Sequence, residues 1–225
     1  MTLSQRIFVA IVKPLYRLFL SWEVRGKENV PRSGPLIVIA NHVHVIDAEL
    51  MVFGVSRWII FIAKEQLFRY PLLGFILRRA QALMVSRYGK LSVTRELFRQ
   101  AGERLAGGAV IGIFPEGKRS HQGKLQAGKP GLAVLASRLN VPLLPVGIAG
   151  TDRIHGRSWL WKRPRITVNI GKPFYLPQAA SRLTRPQRKA LADTMMTEIA
   201  ALLPPEYRGV YGELHSSATP SDVVL

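Results

Sequence analysis

Apolar and polar positions along the chain alternate between two periods. A short apolar run at 35–40, bounded upstream by Pro31-Arg32-Ser33-Gly34-Pro35, ends abruptly at Asn41 and reads as a buried strand. A helix is expected over 48–55, a strand over 58–63, and an apolar, basic helical stretch over 70–79. Residues 81–87 read as a further strand ending on Arg87. From 92 to 105, Val93, Leu97, Ala101 and Leu105 recur every fourth position with charges between, which predicts an amphipathic helix stopped by Gly107-Gly108. A strand over 109–114, a turn at 115–120, a helix over 132–139 and a strand over 141–148 follow. After them come a basic loop at 153–164, a strand over 166–170 and a closing helix over 186–203. A short strand and turn occupy 23–31. Strands alternating with helices imply an α/β fold with a largely parallel central sheet and helices on both faces. The tail from Leu214, bearing Ser, Thr and Pro, is expected to be disordered.

Residues 1–22 put Ile7, Phe8, Ile11, Val12, Leu15, Leu18, Phe19 and Trp22 on one helical face. Arg6, Lys13 and Arg17 add positive charge, and no acid intervenes. Two readings fit this stripe: an interfacial helix lying on lipid, or a helix packed on the domain's own core. Lys13-Pro14 interrupts the apolar region and no small-residue cleavage site follows, which argues against a signal peptide. No apolar run reaches the roughly 18–20 residues of a spanning helix. The expected organisation is an amphipathic helix at 1–22, one domain at 23–213 and a tail at 214–225, since 225 residues supply one sizeable core.

Composition then narrows the partners. The chain has 32 Lys+Arg against 14 Asp+Glu, a net charge of +18, so an anionic partner is expected. Basic residues are interleaved with large apolar clusters, as in Tyr70-Pro71-Leu72-Leu73-Gly74-Phe75-Ile76-Leu77-Arg78-Arg79. That mixture suits an anionic membrane surface, and no zinc-finger or basic-zipper pattern supports nucleic acid. There is no cysteine, which excludes disulfides, thiolate metal sites and a cysteine nucleophile.

The chemistry gathers where polarity switches on, at Asn41-His42-Val43-His44-Val45-Ile46-Asp47. A strand delivers His42 to a sheet edge, and a turn brings Asp47 to one imidazole nitrogen, leaving the other for a substrate. This is a base and its orienter, with no serine or cysteine placed as a third member. The plainer reading makes Asp47 the cap of a helix starting at Ala48. His42, His44 and Asp47 would also suit a two-histidine, one-carboxylate metal site, but no other motif needs a metal. In parallel sheets, sites lie beyond the carboxyl ends of strands, where His42, Arg87 and Glu116 all fall.

Four blocks stand in fixed order: Asn41-His42 to Asp47, the strand ending at Arg87, Phe114-Pro115-Glu116-Gly117-Lys118-Arg119-Ser120, and Val141-Pro142-Leu143-Leu144-Pro145-Val146. On these blocks the chain resembles, over about residues 20–175, the glycerophospholipid acyltransferase family that includes 1-acylglycerol-3-phosphate acyltransferases. It departs from the family pattern at Gln81, where a glycine is usual, and at Ser86, where an aspartate is common. His44 stands at a small hydroxyl position and Lys118 at a threonine position.

The resemblance implies transfer of a fatty acyl group from a thioester, acyl-CoA or acyl carrier protein, to the hydroxyl of a lysophospholipid, lysophosphatidate first; the alternatives are the same chemistry on another lysolipid, amino-lipid or glycolipid, or a non-catalytic basic module that binds a membrane or nucleic acid. His42 would be the general base and Asp47 its partner. Arg119, Arg87 and Lys64 would hold the acceptor's phosphate, and Glu116 and Gly117 would take part in acceptor binding. Lys64 would otherwise snorkel at a membrane boundary, Arg87 would be a surface arginine, and Glu116 would pair with an arginine to position it. No cofactor is implied. The expected setting is association with one membrane face, the cytoplasmic one.

Overall fold

The computed structural model describes residues 2–85, 91–156, 159–178 and 183–212, with backbone only at 91–94. At its centre lies β2 (Leu36–Ala40), five apolar residues all fully buried, as expected of a strand covered on both faces. Each large side chain there contributes about 1.5–3 kcal/mol by leaving water. Around it run β1 (Ser21–Arg25), β3 (Ile59–Lys64), β4 (Leu83–Val85), β5 (Val110–Ile113), β6 (Leu143–Ala149) and β7 (Arg165–Ile170), in the order β1-β7-β6-β2-β5-β3-β4. Every pairing is parallel except β6 with β7. Strands β2, β3, β5 and β6 therefore point their carboxyl ends to one edge, where polar loops collect.

Helices cover both faces. One face buries Leu97, Ala101 and Leu105 of α4 (Leu91–Ala106), Leu135 of α5 (Pro130–Leu139), and Met195, Met196 and Ile199 of α7 (Arg185–Ala201). The other buries Leu50, Met51, Phe53 and Val55 of α2 (Asp47–Val55). The short α3 (Pro71–Arg79) leaves Leu72, Phe75 and Ile76 exposed.

The N-terminal helix, α1 (Leu3–Phe19), opens with a capping box in which Thr2 accepts from the Gln5 N–H and the Gln5 side chain accepts from Thr2. Its apolar stripe is divided between packed and exposed residues. Val9, Val12 and Tyr16 pack on the domain, with the Tyr16 ring edge-on to Phe53 at 5.5 Å. Leu3, Ile7, Ile11, Leu15 and Leu18 stay exposed, between 50% and 75%. The helix ends at Phe19 rather than at 22, because Leu20 is extended and Trp22 already belongs to β1. The stretch 153–164 is not a plain loop. A 3-10 turn spans Thr151–Arg153 and α6 covers Trp159–Lys162, whose Trp159 ring meets Phe19. Strand β4 begins at Leu83 rather than at 81; Ser86 and Arg87, like the tail from 213, lie outside the described residues.

Candidate active site

Strand β2 ends at Ala40, and Asn41 closes the edge. Its buried side-chain amide donates to the Ile148 carbonyl at 2.7 Å and accepts from the Ile148 N–H at 2.8 Å, extending the β2–β6 ladder by one side chain. His42 follows on a pinned backbone. Its N–H donates to Glu116 Oε1 at 3.0 Å, and its carbonyl accepts from the Ser120 N–H at 2.7 Å.

Asp47, wholly buried, turns its carboxylate back onto this loop. A single oxygen, Oδ2, accepts from the Val43 and His44 N–H groups at 2.7 Å each and lies 3.0 Å from His42 Nδ1. A carboxylate only accepts, so in the neutral ring Nδ1 carries the proton and Nε2 the lone pair. The capping reading of Asp47 is corrected here. Ile46 is the residue before the helix, Asp47 is the first residue of α2, and its carboxylate serves the preceding turn. The imidazole is 19% exposed, so its free edge is reachable from outside.

An aromatic stack that no spacing in the sequence announced holds the face of the ring. His42 lies on Phe114 at 4.0 Å and 15°, and Phe114 lies on Phe61 at 5.8 Å and 8°. Gly112 makes room for it: a Cβ there would sit 2.6 Å from Phe61 Cε1. The His42 ring is thus fixed in its plane by Asp47 and across its plane by Phe114.

Glu116 is 1% exposed, and both carboxylate oxygens are taken by backbone donors, Oε1 by the His42 N–H and Oε2 by the Gln126 N–H at 3.0 Å. Burial pushes its carboxyl up to about 7 against the pull of those two hydrogen bonds, with the Asp47 charge adding to the rise. The described residues show no ion pair between Glu116 and an arginine; the groups it holds are peptide N–H donors. Gly117 sits at φ +67°, and a Cβ would meet Lys129 Cγ at 3.1 Å, so the tight turn that presents Lys118 and Arg119 needs glycine.

Arg119 is exposed in this turn, and its charge reaches His44. Burial first, then Arg119 and His42, lower the His44 pKa against the pull of Asp47. A cavity of about 620 Å3 is lined by Lys118, Arg119, His121 and Lys124. Lys64 is the exposed last residue of β3, on the same sheet edge as His42. Arg87 lies outside the described residues. Among those described, no three His, Cys, Asp or Glu side chains gather as a metal site. Two residues beyond Asp47, Glu49 has a carboxyl raised by burial, with Oε2 unpaired.

Over residues 21–149 the chain matches the family model described as Acyltransferase, a span that holds His42, Asp47, Lys64, Glu116 and Arg119. The chain belongs to the acyltransferase family. The chain is 29% identical over 181 residues to a chloroplastic 1-acyl-sn-glycerol-3-phosphate acyltransferase of Brassica napus, covering 79% of this chain and 52% of that one. It is 28% identical over 153 residues to the 1-acyl-sn-glycerol-3-phosphate acyltransferase of Borreliella burgdorferi, covering 68% and 58%. The crystal structure of the 1-acyl-sn-glycerophosphate acyltransferase PlsC from Thermotoga maritima superposes with a TM-score of 0.61 at 25% identity, over 93% of this chain and 78% of that one. The chain spans about half the length of the first curated relatives it matches, 52%, 56% and 51%.

Proposed function

We propose that this acyltransferase moves a fatty acyl group from an acyl thioester, carried by coenzyme A or acyl carrier protein, to the free hydroxyl of lysophosphatidate, giving phosphatidate. The observation that carries the reading is the His42–Asp47 pair at 3.0 Å, with Nε2 free on a partly exposed ring. Nε2 takes the proton of the acceptor hydroxyl as its oxygen attacks the thioester carbonyl, and Asp47 stabilises the imidazolium that forms. The carbon–sulfur bond then breaks, and the imidazolium returns the proton to the departing thiolate. No acyl-enzyme is needed. Arg119, with Lys64 and Arg87, takes the acceptor's phosphate, for which a guanidinium fork is suited. Glu116 acts through His42: it fixes the base's peptide and the 120–129 loop without touching the acceptor.

The chain works on one anionic membrane face, the cytoplasmic one. In favour stand the exposed stripe of α1, the exposed Leu72, Phe75 and Ile76 of α3, and a net charge of +18. Among the described residues no helix is long and apolar enough to cross a membrane. The test is transfer of radiolabelled acyl groups from each donor to a panel of lysolipids by wild type and His42→Ala. Loss of turnover with vesicle binding retained is expected; unchanged turnover removes His42 as the base. Product only with acceptors lacking a phosphate monoester reassigns Arg119 and Lys64 to the donor.

A further inference from the structure

The end of the sheet opposite His42 holds a second basic cavity. It measures about 450 Å3 and is lined by Arg6 of α1, Arg32 of the loop before β2, and Arg57 and Trp58 of the α2–β3 connection, with Gly108 and Val110 at the start of β5. Strand β2 separates it from the catalytic edge, about 16 Å at 3.3 Å per residue.

Arg57 is held in place. It donates from Nη1 to the Pro31 carbonyl at 3.0 Å and from Nη2 to the Gly34 and Gly108 carbonyls at 2.6 and 3.2 Å, tying two loops together. Those bonds use three of its five donors and neutralise none of its charge. Burial lowers its pKa, the mark of a cation kept where water solvates it poorly. No ion pair among the described residues includes Arg6, Arg32 or Arg57, and no acid lines the cavity. An immobilised, uncompensated guanidinium flanked by two more, in a concave site, is the arrangement that binds phosphate oxygens.

Position identifies the source of that phosphate. Arg6 is next to Ile7 on α1, and Leu3, Ile7 and Ile11 are exposed on the same helix. With that stripe in lipid, as the proposed function has it, the cavity opens at headgroup depth.

We propose that the Arg6–Arg32–Arg57 cavity binds the phosphate of an anionic phospholipid headgroup, separately from the acceptor site, and anchors α1 to the surface on which the enzyme works.

The test uses the full chain and a monomeric short-chain phosphatidylglycerol, followed by tryptophan fluorescence with Trp58→Phe to assign the signal. Arg6→Gln/Arg32→Gln is the informative variant, because both side chains are exposed and Arg57 is left to hold its loops. Saturable binding that weakens about thirtyfold in this variant, as expected for two phosphate-facing charges, supports the proposal. Turnover of a water-soluble short-chain acceptor stays unchanged. Binding abolished by Arg119→Gln but untouched by Arg6→Gln/Arg32→Gln assigns the lipid to the catalytic pocket and overturns it. So does inorganic phosphate filling the site at similar concentration, or no saturable binding at all. Failure of His42→Ala to lose turnover would refute the catalytic reading alone, since the headgroup measurement does not depend on chemistry.

Discussion

Glu116→Gln separates positioning from substrate binding at the residue whose role the geometry most changes. The carboxylate accepts two backbone N–H groups, one on each oxygen, at 1% exposure. Glutamine keeps the shape but has one acceptor oxygen, so its amide nitrogen faces a second donor. One buried N–H is orphaned, at a cost of about 1–3 kcal/mol.

That cost depends on pH. The carboxyl titrates near 7 in the folded chain against an ordinary 4.5, so folding favours the neutral form. Its contribution to stability is complete below the unfolded value and is lost as pH rises through about 7. The difference corresponds to about 3 kcal/mol at most. The variant has no such titration. Urea unfolding across pH 4–8 is therefore expected to show Glu116→Gln less stable than wild type at the acid end, with the gap narrowing as pH rises.

In steady-state kinetics the displaced His42 peptide lowers kcat about 10- to 100-fold, the scale of an ångström-sized misplacement, with KM for the acceptor within about twofold. A KM for lysophosphatidate raised about tenfold at unchanged kcat would place Glu116 on the substrate and refute the positioning role.

Asp47 offers a cleaner cut between charge and scaffold. Because one oxygen accepts all three bonds, Asp47→Asn keeps the turn and removes the charge. The amide nitrogen then takes the buried place of Oδ1, which has no partner, so stability is expected to fall by about 1–3 kcal/mol while kcat drops on the order of 10²–10⁴. Asp47→Ala orphans the Val43 and His44 N–H groups as well, so it loses about 1–3 kcal/mol for each, readable by calorimetry. Phe114→Leu removes the stack on His42, worth about 0.5–1.5 kcal/mol, and should lower kcat about 2- to 10-fold at constant KM. Ile111→Val, on the opposite face of the sheet, should move melting temperature without moving kcat. Gly112→Ala drives a Cβ into Phe61 and should cost about 1–3 kcal/mol, seen as a lower denaturation midpoint.

Local pattern carried much of this protein on its own. The run Leu36–Ala40 had to be a covered strand, because five apolar residues without alternation have no polar face to show to water. The α4 positions Leu97, Ala101 and Leu105 that fill the core are visible in spacing alone. The His42–Asp47 pairing was legible as well, since a turn of five residues leaves few other places for that carboxylate.

What chain order could not settle is which distant groups meet. The Gln126 peptide that Glu116 holds, the slot that Gly112 opens for Phe61, and the Ile148 peptide that Asn41 pairs all come from strands or loops far along the sequence. Each depends on sheet order, which places β5 and β6 on either side of β2. The same holds for Arg6, Arg32 and Arg57, whose like charges share one cavity only because α1 returns to the amino ends of the strands. Periodicity reports which side of an element leaves water. Only the packed sheet decides what that side touches, because those contacts join residues with no fixed separation along the chain.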